Sequence, residues 1–161
     1  MRSNSEADSA VEKYADTVRR VCFMHLKNYA DVEDVFQEVF LKYILHEDPF
    51  ESEEHEKAWL IRVTINACKD TFKNFFRRNV CSFEELEKEP FYIQEENRFL
   101  LESILKLPDH YKNVIYLFYY EGYTAVEIAK ILNKRENTIY TWLSRAKSKL
   151  RDELGGEYFD Q

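Results

Sequence analysis

The sequence predicts an all-α protein: two small helical domains joined by a flexible linker, the C-terminal one a helix-turn-helix. Three observations predict it. Only 3 Gly and 3 Pro interrupt 161 residues, so turn punctuation is sparse and helices on short connections are favoured. Apolar residues recur at helical spacing through most of the chain. From residue 79 to residue 98 that periodicity weakens while six acids and Pro90 accumulate, which reads as an acidic linker of net charge −4. Domains are therefore expected over 7–78 and 99–154. The length suits two small domains, and 45 % hydrophobic residues supply enough apolar material for their cores.

A first helix is predicted from about Ala7 to Asn28, with Val11, Tyr14, Val18, Val21 and Cys22 at helical spacing. Asp31 is the expected N-cap of a second helix reaching Leu45. Val32, Val35, Phe36, Val39, Phe40 and Tyr43 line its apolar face. Glu33, Asp34, Gln37, Glu38 and Lys42 line the polar one. The acidic, Pro49-containing stretch from His46 to Glu56 reads as a loop. A third helix is expected from Lys57 to Phe76, with Trp59, Leu60, Val63, Ala67 and Phe72 apolar and Arg62, Asn66, Lys69, Asp70 and Lys73 polar.

After the linker, Leu100, Leu101, Ile104, Leu105 and Leu107 form an apolar stripe. Pro108 suits the first turn of the next helix, where a missing N–H costs nothing. Gly122 can close that helix as a left-handed cap. Thr124 and Glu127 have capping-box spacing. The short helix they start is expected to bury Val126, Ile128, Ala129 and Leu132 to varying degrees, with Ala129 small where another helix must cross. Asn133 fits the tight turn, because Asn tolerates positive φ better than most residues. The last helix should run from Glu136 to Leu154. Its Ile139, Leu143, Ala146 and Leu150 cluster within roughly 60° of one another. Asn137, Tyr140, Thr141, Ser144, Arg145 and Ser148 spread around the other side, with Lys147, Lys149 and Arg151 toward the end. A short helix, a tight turn and a helix with a polar, basic outer face is the helix-turn-helix design for the DNA major groove.

The net charge of −7 is unevenly placed. Residues 57–78 carry net +5, residues 134–151 carry net +5, and the rest carries −17. Such segregation gives two basic patches on an acidic body, the footprint of phosphate contact. Cys22, Cys68 and Cys81 are odd in number and lack zinc-ribbon spacing, so they read as reduced cytosolic thiols, with Cys22 and His25 a weaker metal alternative. No metal or cofactor is expected. No run of about 18 apolar residues exists, so no membrane span is expected, and the polar start of the chain is no signal peptide. A cytoplasmic location follows. No His or Ser stands in a recognisable catalytic setting, which disfavours an enzyme. A DNA-binding regulator with a sensing or dimerising N-terminal domain remains the main alternative.

Several segments resemble extracytoplasmic-function sigma factors of the sigma-70 family. Leu107-Pro108, the stretch from Glu121 to Thr124, Glu127-Ile128-Ala129 and the run from Leu143 to Arg151 resemble that family's C-terminal promoter-binding domain. The run from Asp31 to Phe40 resembles its polymerase-binding helix, and the run from Ala58 to Asn66 its −10-reading helix. Three motifs in the right order make the resemblance specific. It implies an alternative sigma factor, not an enzyme, that binds core RNA polymerase and promoter DNA and is held by an anti-sigma factor.

The resemblance also implies roles for residues. Asp34, Gln37 and Glu38 would meet a basic coiled coil of polymerase; without the family, that acidic face is simply solvated. Asn66, whose amide offers donor and acceptor together, would capture a base flipped from the −10 strand, with Asp70 one turn on. Arg62, Lys69, Lys73, Arg77 and Arg78 would hold phosphates. Asn137, Tyr140, Thr141, Ser144 and Arg145 would read or grip the −35 element, with Lys147 and Lys149 on phosphate. Trp142 and Arg135 depart from the family pattern, and Trp142 reads as packing at the edge of the buried face.

Overall fold

The computed structural model describes residues 1–26, 28–74 and 98–154, with backbone only at 72–74, 98 and 99. The expected linker, Lys73, Phe76, Arg77, Arg78 and Cys81 lie outside the described residues or side chains. The described secondary structure is entirely helical: α1 (Asn4–His25), α2 (Tyr29–Leu45), α3 (Glu53–Asn74), α4 (Arg98–Leu105), α5 (Asp109–Ile115), α6 (Ala125–Leu132) and α7 (Glu136–Leu154). The chain divides into two compact units, α1–α3 in one and α4–α7 in the other.

Caps explain where the first three helices begin, and they differ from the expected starts. Ser3 is extended and its hydroxyl accepts from the Glu6 N–H at 3.1 Å, so α1 starts before Ala7. Asn28, not Asp31, caps α2: its side chain accepts from the Asp31 N–H at 2.9 Å. Asp31 is thereby carried into the first turn and buried, where its carboxylate accepts from the Asn28 side-chain amide at 3.2 Å. Ser52 accepts from the His55 N–H at 3.1 Å, and α3 begins at Glu53, within the expected loop. Each of these helices packs on the other two. Val18, Val21 and Cys22 from α1, Val32, Val35 and Val39 from α2, and Leu60 and Ile61 from α3 form their fully buried centre. Full burial of each such side chain stabilises by roughly 1.5–3 kcal/mol before entropy is subtracted.

The second unit is organised around α7, which packs against α4, α5 and α6. Leu107, Tyr111, Ile115, Ala146 and Leu150 form one buried cluster, with Ile104, Trp142 and Leu154 against it. Pro108 stands at the cap position, and its carbonyl accepts from the Tyr111 and Lys112 N–H groups, so α5 itself begins at Asp109. α5 then widens into a π-helical stretch, Tyr116–Tyr120. Tyr116 stacks on Tyr120 there, 5.2 Å between ring centroids, and donates to Glu121 at 2.7 Å. Gly122 follows with φ +78°.

The capping box is complete: Thr124 accepts from the Glu127 N–H at 3.1 Å, and Glu127 accepts from the Thr124 N–H at 2.9 Å. Asn133 is left-handed, φ 55° and ψ 53°, and turns the chain from α6 into α7. Ile128 and Ala129 are buried, but Val126 is 38 % exposed. The correction follows from geometry, since positions 126 and 128 lie about 200° apart around a helix and cannot share a face.

Candidate nucleic-acid and polymerase interfaces

α7 separates a buried face from an exposed polar one by angle. Ile139, Leu143, Ala146 and Leu150 are buried, while Asn137, Tyr140, Thr141, Ser144, Arg145 and Ser148 are exposed. Tyr140 keeps 54 % of its surface open, a large aromatic face offered outward. The Thr141 hydroxyl donates to the Asn137 carbonyl at 3.0 Å. Lys147 and Lys149 do not share one side. The Lys147 ammonium lies 5.8 Å from the Tyr119 ring centroid, and that of Lys149 lies 5.8 Å from the Tyr111 ring centroid. The two lysines are about 160° apart on the helix and flank the buried seam from opposite edges. Trp142 is half-buried against the α5 cluster, its ring 4.9 Å from that of His110, consistent with packing.

Sequence reasoning counted Lys134, Arg135 and Asn137 at the start of α7 but did not join Lys130 to them. A shallow groove at the turn is lined by Val126, Lys130, Asn133, Lys134, Arg135 and Asn137, among others. Lys130, Lys134 and Arg135 thus line the groove together with one acid, Glu136, at the start of α7. The usable signal was the spacing of Lys130 and Lys134 across the left-handed Asn133.

On α3, Arg62, Asn66, Lys69 and Asp70 are all exposed. Arg62, Asn66 and Asp70 fall on one stripe at spacings of a helical turn, and Trp59 heads the same stripe. Thr64, buried on the opposite side, satisfies its hydroxyl on the Leu60 carbonyl at 2.6 Å. The structure adds what the sequence did not show, an aromatic group at the head of the stripe. The Trp59 ring lies 4.6 Å from His46 and 5.6 Å from Phe50, and Phe50 stacks on Tyr43 at 6.1 Å with 8° between planes. Ring faces of this kind accept stacked, unpaired bases. Glu56 anchors the group from below by accepting from the Tyr43 hydroxyl at 2.7 Å. Burial first, and then that carboxylate, pushes the Tyr43 phenol up to about 12, so it remains a donor.

On α2, Asp34, Gln37 and Glu38 are exposed, and Leu41 continues their stripe with 56 % of its surface open. Glu38 reaches Lys42 at 3.6 Å, an exposed pair of little energetic weight. Glu33 instead faces α1, where it accepts from Arg19 at 3.1 Å. Cys22 is fully buried, and burial followed by its hydrogen bond with Cys68 raises its pKa well above the ordinary thiol value. Among the described residues no group of three or more His, Cys, Asp or Glu could hold a metal ion, and no helix is long and apolar enough to cross a membrane.

A helix-turn-helix unit whose last helix has a polar outer face, in one chain with a three-helix unit bearing an acidic stripe and a mixed polar one, has the form of a helical DNA-binding transcription protein. Comparison with known proteins specifies the family. The family model for sigma-70 region 2 matches residues 10–79, and that for sigma-70 region 4 matches residues 100–150. The chain belongs to the sigma-70 family, in its extracytoplasmic-function group. It is 27 % identical to the ECF RNA polymerase sigma factor SigW of Bacillus subtilis (strain 168), over 89 % of this chain and 86 % of that protein. It is 29 % identical to the RNA polymerase sigma factor SigV of the same organism, over 86 % of this chain and 84 % of that protein. Among solved structures it resembles CnrH in complex with the cytosolic domain of CnrY, with TM-score 0.70 and 22 % identity, covering 94 % of this chain and 89 % of that one. It also resembles the sigma factor RpoE in complex with the anti-sigma factor NepR from Bartonella quintana, with TM-score 0.70 and 18 % identity, covering 96 % and 98 %.

Proposed function

We propose that this protein is an alternative sigma factor that binds core RNA polymerase and directs promoter-specific initiation through −10 and −35 recognition. One observation carries the reading: both sigma-70 regions occur in order, and the second coincides with a fully formed helix-turn-helix. A regulator with a sensing or dimerising domain is not favoured, because the first unit matches region 2.

In this reading the protein acts by binding in the cytoplasm and performs no catalysis of its own. The stripe of Asp34, Gln37 and Glu38 engages a basic coiled coil of polymerase. Arg62, Asn66, Lys69 and Asp70 engage the −10 strand, with Asn66 gripping a flipped base and the cations holding phosphates; Lys73 and Arg77 extend the same run in sequence. Opening a duplex costs a few kcal/mol per unstacked base, which base capture offsets. Asn137, Tyr140, Thr141, Ser144 and Arg145 lie in the −35 major groove, and Lys147 and Lys149 contact phosphates at its edges. The complex of RpoE with the anti-sigma factor NepR supports an anti-sigma factor as a further partner.

Run-off transcription with core polymerase over a genomic promoter library tests the reading. Transcripts starting from a shared −35 and −10 pair are expected only when the protein is added. Transcription without any such shared pair would refute it.

A further inference from the structure

The loop from residue 46 to residue 52, which carries His46 and Phe50, is held from a distance in sequence by Arg2. The Arg2 N–H donates to the Ile44 carbonyl at 2.8 Å, at the end of α2. Its guanidinium Nη2 donates to the Asp48 carbonyl at 2.7 Å. The same guanidinium carbon stands 4.9 Å from the Tyr43 ring centroid and 4.8 Å from that of Phe50. Only 14 % of the Arg2 side chain is exposed, and Glu6 balances its charge at 3.5 Å. The backbone of residue 2 thus holds a helix end, and its guanidinium holds the middle of a loop and two parallel rings.

The loop matters because of where it ends. Phe50 and His46 pack on Trp59, and Trp59 heads the α3 stripe that continues through Arg62, Asn66 and Asp70. A planar guanidinium suits this seat, since it binds ring faces and a carbonyl oxygen at once. A partly desolvated cation over two rings, with a charge-assisted hydrogen bond, is strong enough to select one loop conformation.

We propose that Arg2 is a positioning residue for −10 recognition: it sets the 46–52 loop so that the Phe50, His46 and Trp59 rings stand preformed at the head of the α3 stripe. The proposal rests on the −10 role given above to α3. Without Arg2 the loop loses its tether, and strand capture must include the cost of ordering it.

The test uses full-length protein in holoenzyme, with a promoter recovered by run-off transcription. The probe is a fluorescein-labelled single strand carrying that promoter's non-template −10 sequence, read by anisotropy. Arg2→Ala should weaken strand binding about tenfold, while Arg2→Lys, which keeps a cation but not the planar group that meets both rings and the Asp48 carbonyl, recovers only part of that loss. Core affinity should stay unchanged in both. A thermal melt monitors folding, and if Arg2→Ala unfolds, Arg2→Gln against Arg2→Lys makes the same comparison of neutral with cationic side chains. Unchanged strand affinity in Arg2→Ala overturns the proposal. So does a parallel loss of core affinity, which would make Arg2 a stabiliser of the whole unit. A wild-type holoenzyme that fails to retain the strand refutes the −10 reading itself and removes the basis of the proposal.

Discussion

The Thr141 hydroxyl donates to the Asn137 carbonyl one turn back along α7, at 3.0 Å, and so turns its only proton into its own helix. What Thr141 offers outward is a methyl group and an acceptor oxygen. Methyl contact with thymine is one of the ordinary ways a major groove is read. Thr141→Val keeps the shape and the methyl group and discards the hydroxyl. It should bind the −35 duplex within about twofold of wild type, whereas Thr141→Ala loses about fivefold. Anisotropy with full-length holoenzyme on a −35 duplex decides between them. A tenfold loss in Thr141→Val would mean that the hydroxyl leaves Asn137 and bonds a base.

Arg145 and Lys149 should show unlike phenotypes. Arg145 is exposed on the outer arc and can grip guanine bidentately, so Arg145→Ala should cost roughly 1–3 kcal/mol and relax preference at one −35 position. Lys149 lies one turn beyond Arg145, about 40° further round toward the buried seam, with its ammonium 5.8 Å from the Tyr111 ring centroid. Lys149→Ala should weaken all sequences about equally and lower the salt slope by roughly one unit. The measurement is affinity for single-base −35 variants at several salt concentrations. Equal weakening of every variant by Arg145→Ala would make it a phosphate clamp.

The turn at Asn133 gives a stability prediction with a sign. At φ 55° a β-branched side chain is strained and glycine is not. Asn133→Val should destabilise the full chain by about 1–2 kcal/mol, and Asn133→Gly by less than about 0.5 kcal/mol. Thr124→Ala, which breaks half of the capping box, should cost about 1 kcal/mol. Urea unfolding followed by circular dichroism measures all three. Equal loss in the Val and Gly variants would show that Asn133 is held by its side chain rather than its backbone.

The helix-turn-helix was legible because its determinants are local. Thr124, Glu127, Asn133 and the spacing of Ile139, Leu143, Ala146 and Leu150 each act within a few residues of themselves. The helix starts in the first unit were harder. Ser3, Asn28 and Ser52 compete with acidic neighbours that also suit an N-terminus, and only backbone angles and hydrogen bonds choose between Asn28 and Asp31. The tether from Arg2 to Asp48 was not legible at all. It joins residues 46 positions apart, and no periodicity encodes a contact of that kind. For the proposed polymerase stripe, exposure of Asp34, Gln37 and Glu38 follows from helical spacing, but their role rests on the family.

That stripe gives the last prediction. Asp34→Lys together with Gln37→Ala should lower core polymerase affinity by about tenfold or more, since reversing one charge replaces attraction with repulsion. The helical circular dichroism signal should survive, because both side chains are exposed. Affinity is measured by titration of labelled protein with core. Wild-type affinity in the double variant would remove these residues from the polymerase interface.

The angular division of α7 has an evolutionary consequence. Four buried positions hold the second unit together, and six outward ones leave its packing untouched. Substitutions among Asn137, Tyr140, Thr141, Ser144, Arg145 and Ser148 can therefore accumulate with little cost in folding. A duplicated gene could drift from one set of target promoters to another by single steps, each still a folded protein. Changing Ile139 or Leu150 would instead cost about 2–5 kcal/mol on truncation to alanine and end the lineage before new specificity arose. Divergence on the outer face of this helix should thus outrun divergence on its buried one.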